Sequence, residues 1–241
     1  MRRVLAAIAL AAAGLLPLPA TAQTAPTCFG KTVTILGTEG PDGNLTGTEG
    51  SDVMHGLGDR DWMWGGAYGP DPDGRDWMCG GDGDDHMDGH KSHDFLDGGL
   101  NADVMRGHLG NDKLLGGPGP DDLQGNWGAD FVDGGPGNDR LDNSDDERNR
   151  PSGDTLLGGH GNDLVIMRPS GSSSARQPFW GKDVIRGGTG DDVLWSTSDY
   201  KQHQPEEPGQ EDTVNGGDGT DTCYVDADDT VTGCEQVTIV G

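Results

Sequence analysis

From Gly80 to Asp142 the chain repeats every nine residues without a gap: GGDGDDHMD, GHKSHDFLD, GGLNADVMR, GHLGNDKLL, GGPGPDDLQ, GNWGADFVD and GGPGNDRLD. The pattern is G-G-x-G-x-D-x-U-x, where U is large and apolar. It extends outward through GTEGSDVMH and GLGDRDWMW before, and GGHGNDLVI, GGTGDDVLW and GGDGTDTCY after. Four units are lengthened, at 65–79, 143–157, 167–186 and 196–215, which makes sixteen units between residues 47 and 224. GTEGPDGNLT (37–46) reads as a worn seventeenth. All sixteen carry Asp at the sixth position, from Asp52 to Asp221, and the eighth is Met, Leu, Val or Ile in all but the last, Cys223. A register that survives four insertions requires one structural unit stacked on copies of itself.

Apolar burial cannot hold such a stack together. One buried Leu or Met contributes about 2–3 kcal/mol, whereas ordering backbone costs about 1–2 kcal/mol for each of the nine residues in a unit. Hydrophobic content is 31%, and 42 acidic side chains face 16 basic ones for a net charge of −26. That combination ordinarily leaves a chain disordered. It also excludes nucleic acid as a partner and anionic membrane as a docking surface, since both require basic patches. A bound cation must supply the missing stabilisation.

The repeat has the parts to hold one. Glycines allow the positive φ and close backbone approach of a tight loop. Strand side chains alternate, so the eighth residue points inward and the seventh and ninth outward. Ca²⁺ takes six to eight oxygen ligands from carboxylates and backbone carbonyls in flexible geometry, while Mg²⁺ demands a strict octahedron. Transition metals prefer imidazole or thiolate.

The nonapeptide resembles the hemolysin-type calcium-binding repeats, the RTX (repeats-in-toxin) family, over about three-quarters of the chain. The resemblance implies an all-β fold, a right-handed parallel β-roll (β-solenoid) with two repeats per turn. The first six residues of each unit would turn and bind Ca²⁺, and the last three would form a strand. Loops would then stack at a spacing of eighteen residues, holding several Ca²⁺ ions.

Numbered from Gly47, the even units are all nine residues long, and the odd units carry every insertion. The even edge, with Asp61, Asp85, Asp103, Asp121, Asp139, Asp163, Asp192 and Asp221, is expected to form the fuller calcium ladder. About seven ions would fill its gaps. The odd edge is expected to bind fewer, through Asp52, Asp94, Asp112 and Asp130. Its loops replace the second glycine with His90, His108 and Asn126, residue types that tolerate left-handed backbone. A transition-metal site built from His86, His90 and His93 is the competing reading of the histidines.

Arg2 and Arg3, an apolar run and Ala20-Thr21-Ala22 read as a secretory signal peptide over 1–22. An N-terminal cap (23–46), the calcium-binding roll (47–224) and a C-terminal cap (225–241) complete the division. No other segment is apolar enough for membrane insertion. Four cysteines in an exported chain predict disulfides; pairing Cys28 with Cys79 and Cys223 with Cys234 would staple each end separately. Zinc is disfavoured because no C-x-x-C occurs.

The expected function is that of an extracellular calcium-binding repeat protein, a structural, adhesive or surface-binding module and not an enzyme. The outward row Val53, Trp77, Phe95, Phe131 and Val184 is expected to lie under the N-terminal segment and the insertions. Left open, it would bind a cell-surface glycan or protein. Trp62 and Trp64 form a smaller set on the other face. A carbohydrate-active or other extracellular hydrolase or lyase built on the roll is the alternative. The repeat leaves few residues outside itself for such a site, and the sequence has no nucleophile elbow, H-E-x-x-H or P-loop.

Overall fold

A computed structural model describes residues 26–66, 74–143, 153–167, 182–197 and 211–240. The expected signal peptide and the central parts of the four insertions lie outside the described residues. Two ten-stranded parallel sheets face each other, and consecutive strands alternate between them. One sheet runs from Ile35–Leu36 to Thr230–Thr232, the other from Leu45–Thr46 to Gln236–Ile239. Two repeats therefore make one turn, and the chain is an all-β roll.

The register follows the repeat. Phe95 pairs with Lys113 and Lys113 with Phe131, each eighteen residues on, and Val104, Asp122 and Arg140 do the same opposite. Insertions do not disturb it: Phe131 pairs with Thr155 and Val184 with Thr213. Extra residues leave from the odd edge and return to the same rung.

The core is a double column of eighth-position side chains. Met54, Met78, Leu96, Leu114, Val132, Leu156, Ile185 and Val214 come from one sheet, and Met63, Met87, Met105, Leu123, Leu141, Val165, Leu194 and Cys223 from the other. All are buried. Methionine suits a core one side chain deep, because its flexible thioether adapts to uneven gaps.

On the sheet that leads into even units most strands are longer than three residues, Lys113–Leu115 being an exception. Trp77–Asp82, Phe95–Leu100, Phe131–Pro136, Thr155–His160, Val184–Thr189 and Thr213–Asp218 each cross a unit boundary. The first three loop residues remain in ladder because successive even loops stack directly: Gly81 pairs with Gly99 and Asp82 with Leu100. On the opposite sheet Val104–Leu109 and Asp122–Trp127 reach as far, and both lead into uninterrupted odd units; Arg140–Asn143, Leu164–Met167 and Val193–Ser196 extend one residue past the boundary. The strands before insertions, Trp62–Trp64, Arg140–Asn143, Leu164–Met167 and Val193–Ser196, are three or four residues long, and so is His86–Asp88 before an uninterrupted unit.

Both disulfides form, Cys28–Cys79 with Cα atoms 5.8 Å apart and Cys223–Cys234 at 6.1 Å. The first holds a small antiparallel hairpin, Thr27–Cys28 with Lys31–Thr32, against the odd sheet. Lys31 Nζ lies 3.8 Å above the Trp77 ring, and Phe29 meets Phe95 edge-on at 5.7 Å. The N-terminal segment thus covers the start of the aromatic row, as expected. The flanking segments also supply outer rungs: Ile35 pairs with Met54, and Gln236 with Thr222.

Candidate metal centre

Each sixth-position aspartate stands at the corner between loop and strand with its carboxylate turned into the roll, buried in all but Asp183 and Asp212, which are half-buried. On the even edge the peptide N–H of Asp42 donates to Asp61 Oδ1, Asp61 to Asp85, Asp85 to Asp103 and Asp103 to Asp121, all at 2.8–2.9 Å. The series continues through Asp139, Asp163, Asp192 and Asp221, and Glu235 Oε2 closes it. An equal ladder on the odd edge joins Asp52, Asp76, Asp94, Asp112, Asp130, Asp154, Asp183, Asp212 and Asp229. From Asp61 and Asp76 onward, one carboxylate oxygen of each residue therefore accepts a hydrogen bond from the backbone of the preceding turn.

The other oxygen divides the ladder. Oδ2 of all eight even-edge aspartates, Asp61, Asp85, Asp103, Asp121, Asp139, Asp163, Asp192 and Asp221, is buried and receives no hydrogen bond. Asp94 and Asp112 on the odd edge share that state. A buried carboxylate oxygen without a donor is costly. Each lies in a cradle that only glycine permits. A Cβ on Gly134 would sit 2.5 Å from Asp139 Oδ2 and 2.6 Å from the Gly158 carbonyl of the next turn. Gly158 repeats this with Asp163 and Gly187. A carboxylate oxygen without a donor and a backbone carbonyl thus converge at one spot. That donor set, all oxygen and half of it backbone, fits Ca²⁺. Among the described residues no three His, Cys, Asp or Glu side chains converge; the ladder offers carbonyls where other metal sites offer more side chains.

Burial pushes these carboxyls upward against the lowering effect of their backbone hydrogen bonds: Asp94 to about 9, Asp103 to about 8, Asp112 and Asp121 to about 7, and Asp85, Asp139, Asp163 and Asp192 to about 6. Without a cation the site favours its protonated form, because desolvation penalises the charge.

At Asp42, Asp52, Asp212 and Asp229, towards the two ends, protein groups take the second oxygen. Thr38 donates to Asp42 Oδ2 through its N–H at 2.6 Å and its hydroxyl at 3.3 Å; Thr48 does the same for Asp52, at 2.6 and 2.9 Å. Ser196 Oγ donates to Asp212 Oδ2 at 2.9 Å, and the Asp226 N–H to Asp229 Oδ2. Asp52, expected as a cation ligand, is thus served within its own loop. The reason lies at position two. Gly99 and Gly117 hold φ at +106° and +96°, and their N–H groups point to the next turn, to the Gly116 and Gly134 carbonyls at 3.2 and 3.0 Å. Threonine turns its N–H inward to the carboxylate.

Sequence reasoning passes over Asp76, Asp154, Asp183 and Asp212 because their units are lengthened, yet the ladder runs through all four. It also passes over position one. Even units all begin with glycine, whereas the last three odd units begin with Asn143, Met167 and Ser196. A side chain there occupies space that glycine leaves to a ligand, and this signal is present in the sequence.

The histidines have other partners. His90 and His108 adopt φ of 74° and 73° and Asn126 70°, which accounts for their place in the loops by backbone tolerance. His93 Nδ1 accepts the Asn111 N–H at 2.6 Å. His86 and His108 reach Asp88 through Nε2 at 3.5 and 3.2 Å. Burial would raise the Asp88 carboxyl, but these hydrogen bonds outweigh it and hold the group well below the usual carboxylate range. The three histidines considered for a transition metal do not converge.

A family model described as the RTX calcium-binding nonapeptide repeat (4 copies) matches residues 42–67, 73–105, 106–141, 179–199 and 209–233, more than half of the chain. No curated protein matches it.

Proposed function

The chain belongs to the RTX calcium-binding nonapeptide repeat family, and from that premise we propose that it is an exported protein that folds on meeting extracellular Ca²⁺ and then serves as a structural, adhesive or surface-binding module. One observation carries the reading: among the described residues ten buried carboxylate oxygens have no donor, each beside a glycine. Asp61, Asp85, Asp103, Asp121, Asp139, Asp163, Asp192 and Asp221 would hold the main row of ions, with Asp94 and Asp112 a shorter odd-edge row. Asp52 falls outside the set because Thr48 serves it. Bound Ca²⁺ would supply the positive charge that the net charge of −26 leaves unanswered. The aspartates do two things for it: Oδ1 fixes the spacing of turns, and Oδ2 presents the charge.

Two disulfides favour an oxidising compartment, where calcium modules bind at around 10⁻⁴–10⁻³ M. The non-enzymatic reading rests on how fully the repeat employs its acidic residues. For a glycan or protein partner, the outer face around Trp62 is the best-placed surface. Trp62 is 44% exposed, with the His86 ring 4.8 Å away. Arg106 beside it is braced by Gln124 at 3.4 Å. Far-UV circular dichroism during a calcium titration, with magnesium as control, tests the folding claim; a roll already complete in chelator would refute it.

A further inference from the structure

We propose that Asn143 contributes its side-chain amide oxygen to a hard divalent cation held on the odd edge, beside Asp130, at a position where the repeat ordinarily has glycine. The inference rests on the calcium reading above and extends it to a residue outside the repeat pattern. Asn143 opens the lengthened unit 143–157 and ends the strand Arg140–Asn143. Alternation along that strand points Leu141 and Asn143 inward, and Asn143 is 0% exposed. Among the described residues neither its Oδ1 nor its Nδ2 has a hydrogen-bond partner. An amide buried without any partner is costly, and leucine or glycine would avoid that cost.

The amide oxygen is directed into a cradle. A Cβ built on Gly125 would lie 2.6 Å from Asn143 Oδ1 and 2.5 Å from Asp130 Oδ2. On the even edge the corresponding place beside Gly134 is taken by a backbone carbonyl, that of Gly158. The side-chain amide therefore stands where a carbonyl ligand stands elsewhere, and amide oxygens are ordinary Ca²⁺ ligands. Ser196, which opens a later odd unit, shows the contrasting solution: it brings a hydroxyl donor to Asp212 and needs no ion. Asn143 could copy that solution only by turning its amide half round, so that Nδ2 faced Asp130.

Asn143→Asp and Asn143→Ala separate the two. In the full chain, Ca²⁺ stoichiometry is read by equilibrium dialysis with ⁴⁵Ca, and stability by thermal melting in calcium and in EGTA. If the oxygen is a ligand, Asn143→Ala binds one ion fewer than wild type, and Asn143→Asp keeps the full number with equal or tighter affinity. An unchanged stoichiometry in Asn143→Ala overturns the proposal. So does an Asn143→Asp variant that loses an ion, since a new carboxylate would then repel Asp130. Should wild type bind no Ca²⁺ at all, the calcium reading itself falls, a result distinct from either variant outcome.

Discussion

The loop ending at Asp52 and the loop ending at Asp121 hold the same aspartate at the same corner and satisfy it by different means. Both carboxylates are buried, and both peptides join the turn-to-turn ladder. In the first, Thr48 brings an N–H and a hydroxyl to Oδ2. In the second, Gly117 turns its N–H away to the next turn, and Oδ2 is left without a donor. One residue at position two decides whether the loop neutralises itself or leaves the task to a cation. The threonine loops lie at the N-terminal end, where a first rung has a neighbour on one side only. The glycine loops fill the middle, where an ion can be shared by two rungs.

Removing calcium tests the contrast most severely. In EGTA the central rungs retain unneutralised buried charge, and most of the β signal in far-UV circular dichroism should disappear at pH 7; Mg²⁺ should restore little of it. A cooperative melt unchanged by EGTA would erase the distinction. Next comes a pair of isosteric changes. Asp121→Asn keeps an Oδ1 acceptor for the ladder and removes the charge, and it should raise the calcium midpoint of folding about tenfold, ~1.4 kcal/mol. Asp52→Asn should move it less than about twofold. Equal shifts would show that threonine does not substitute for the ion.

Acidity should act in opposite directions on the two forms. The central carboxyls have folded values of about 6 to about 9, raised by burial above the unfolded value near 4. The calcium-free folded state thus binds more protons than the unfolded state between these limits. Its stability is greatest below pH 4 and is lost as pH rises through 6 to 9. Stripped protein should gain β structure on acidification from pH 8 to 4, while calcium-loaded protein should lose ions and stability over the same range. Parallel responses would contradict the assignment of the shifts to buried ligands. The smallest effect expected is that of Thr48→Gly, which turns an N-terminal loop into the central type. It should add one bound ion in equilibrium dialysis, with little change in the melting of the loaded form.

Much of this architecture is legible in the order of the amino acids. The inward eighth position names the core from Met54 to Cys223, and the sixth-position Asp names both ladders. His90, His108 and Asn126 are readable as left-handed loop residues because few other side chains tolerate that backbone. The division of the aspartates is not legible, because it depends on donors three-dimensionally adjacent to Oδ2. Ser196 reaches Asp212 across a sixteen-residue excursion, a distance at which no local rule applies. The six-residue strands escape the repeat pattern as well, since the loop residues join the ladder only when another loop lies directly above.

The sequence by itself determined the period, the inward column and the acidic row, because a nine-residue repeat with one apolar residue and one aspartate has a single way to stack with alternating side chains. Tertiary structure alone decided which carboxylate oxygens remain unserved. Hydrogen bonds are short-ranged and directional, so whether a buried charge needs a metal depends on atoms brought close by the next turn of the roll.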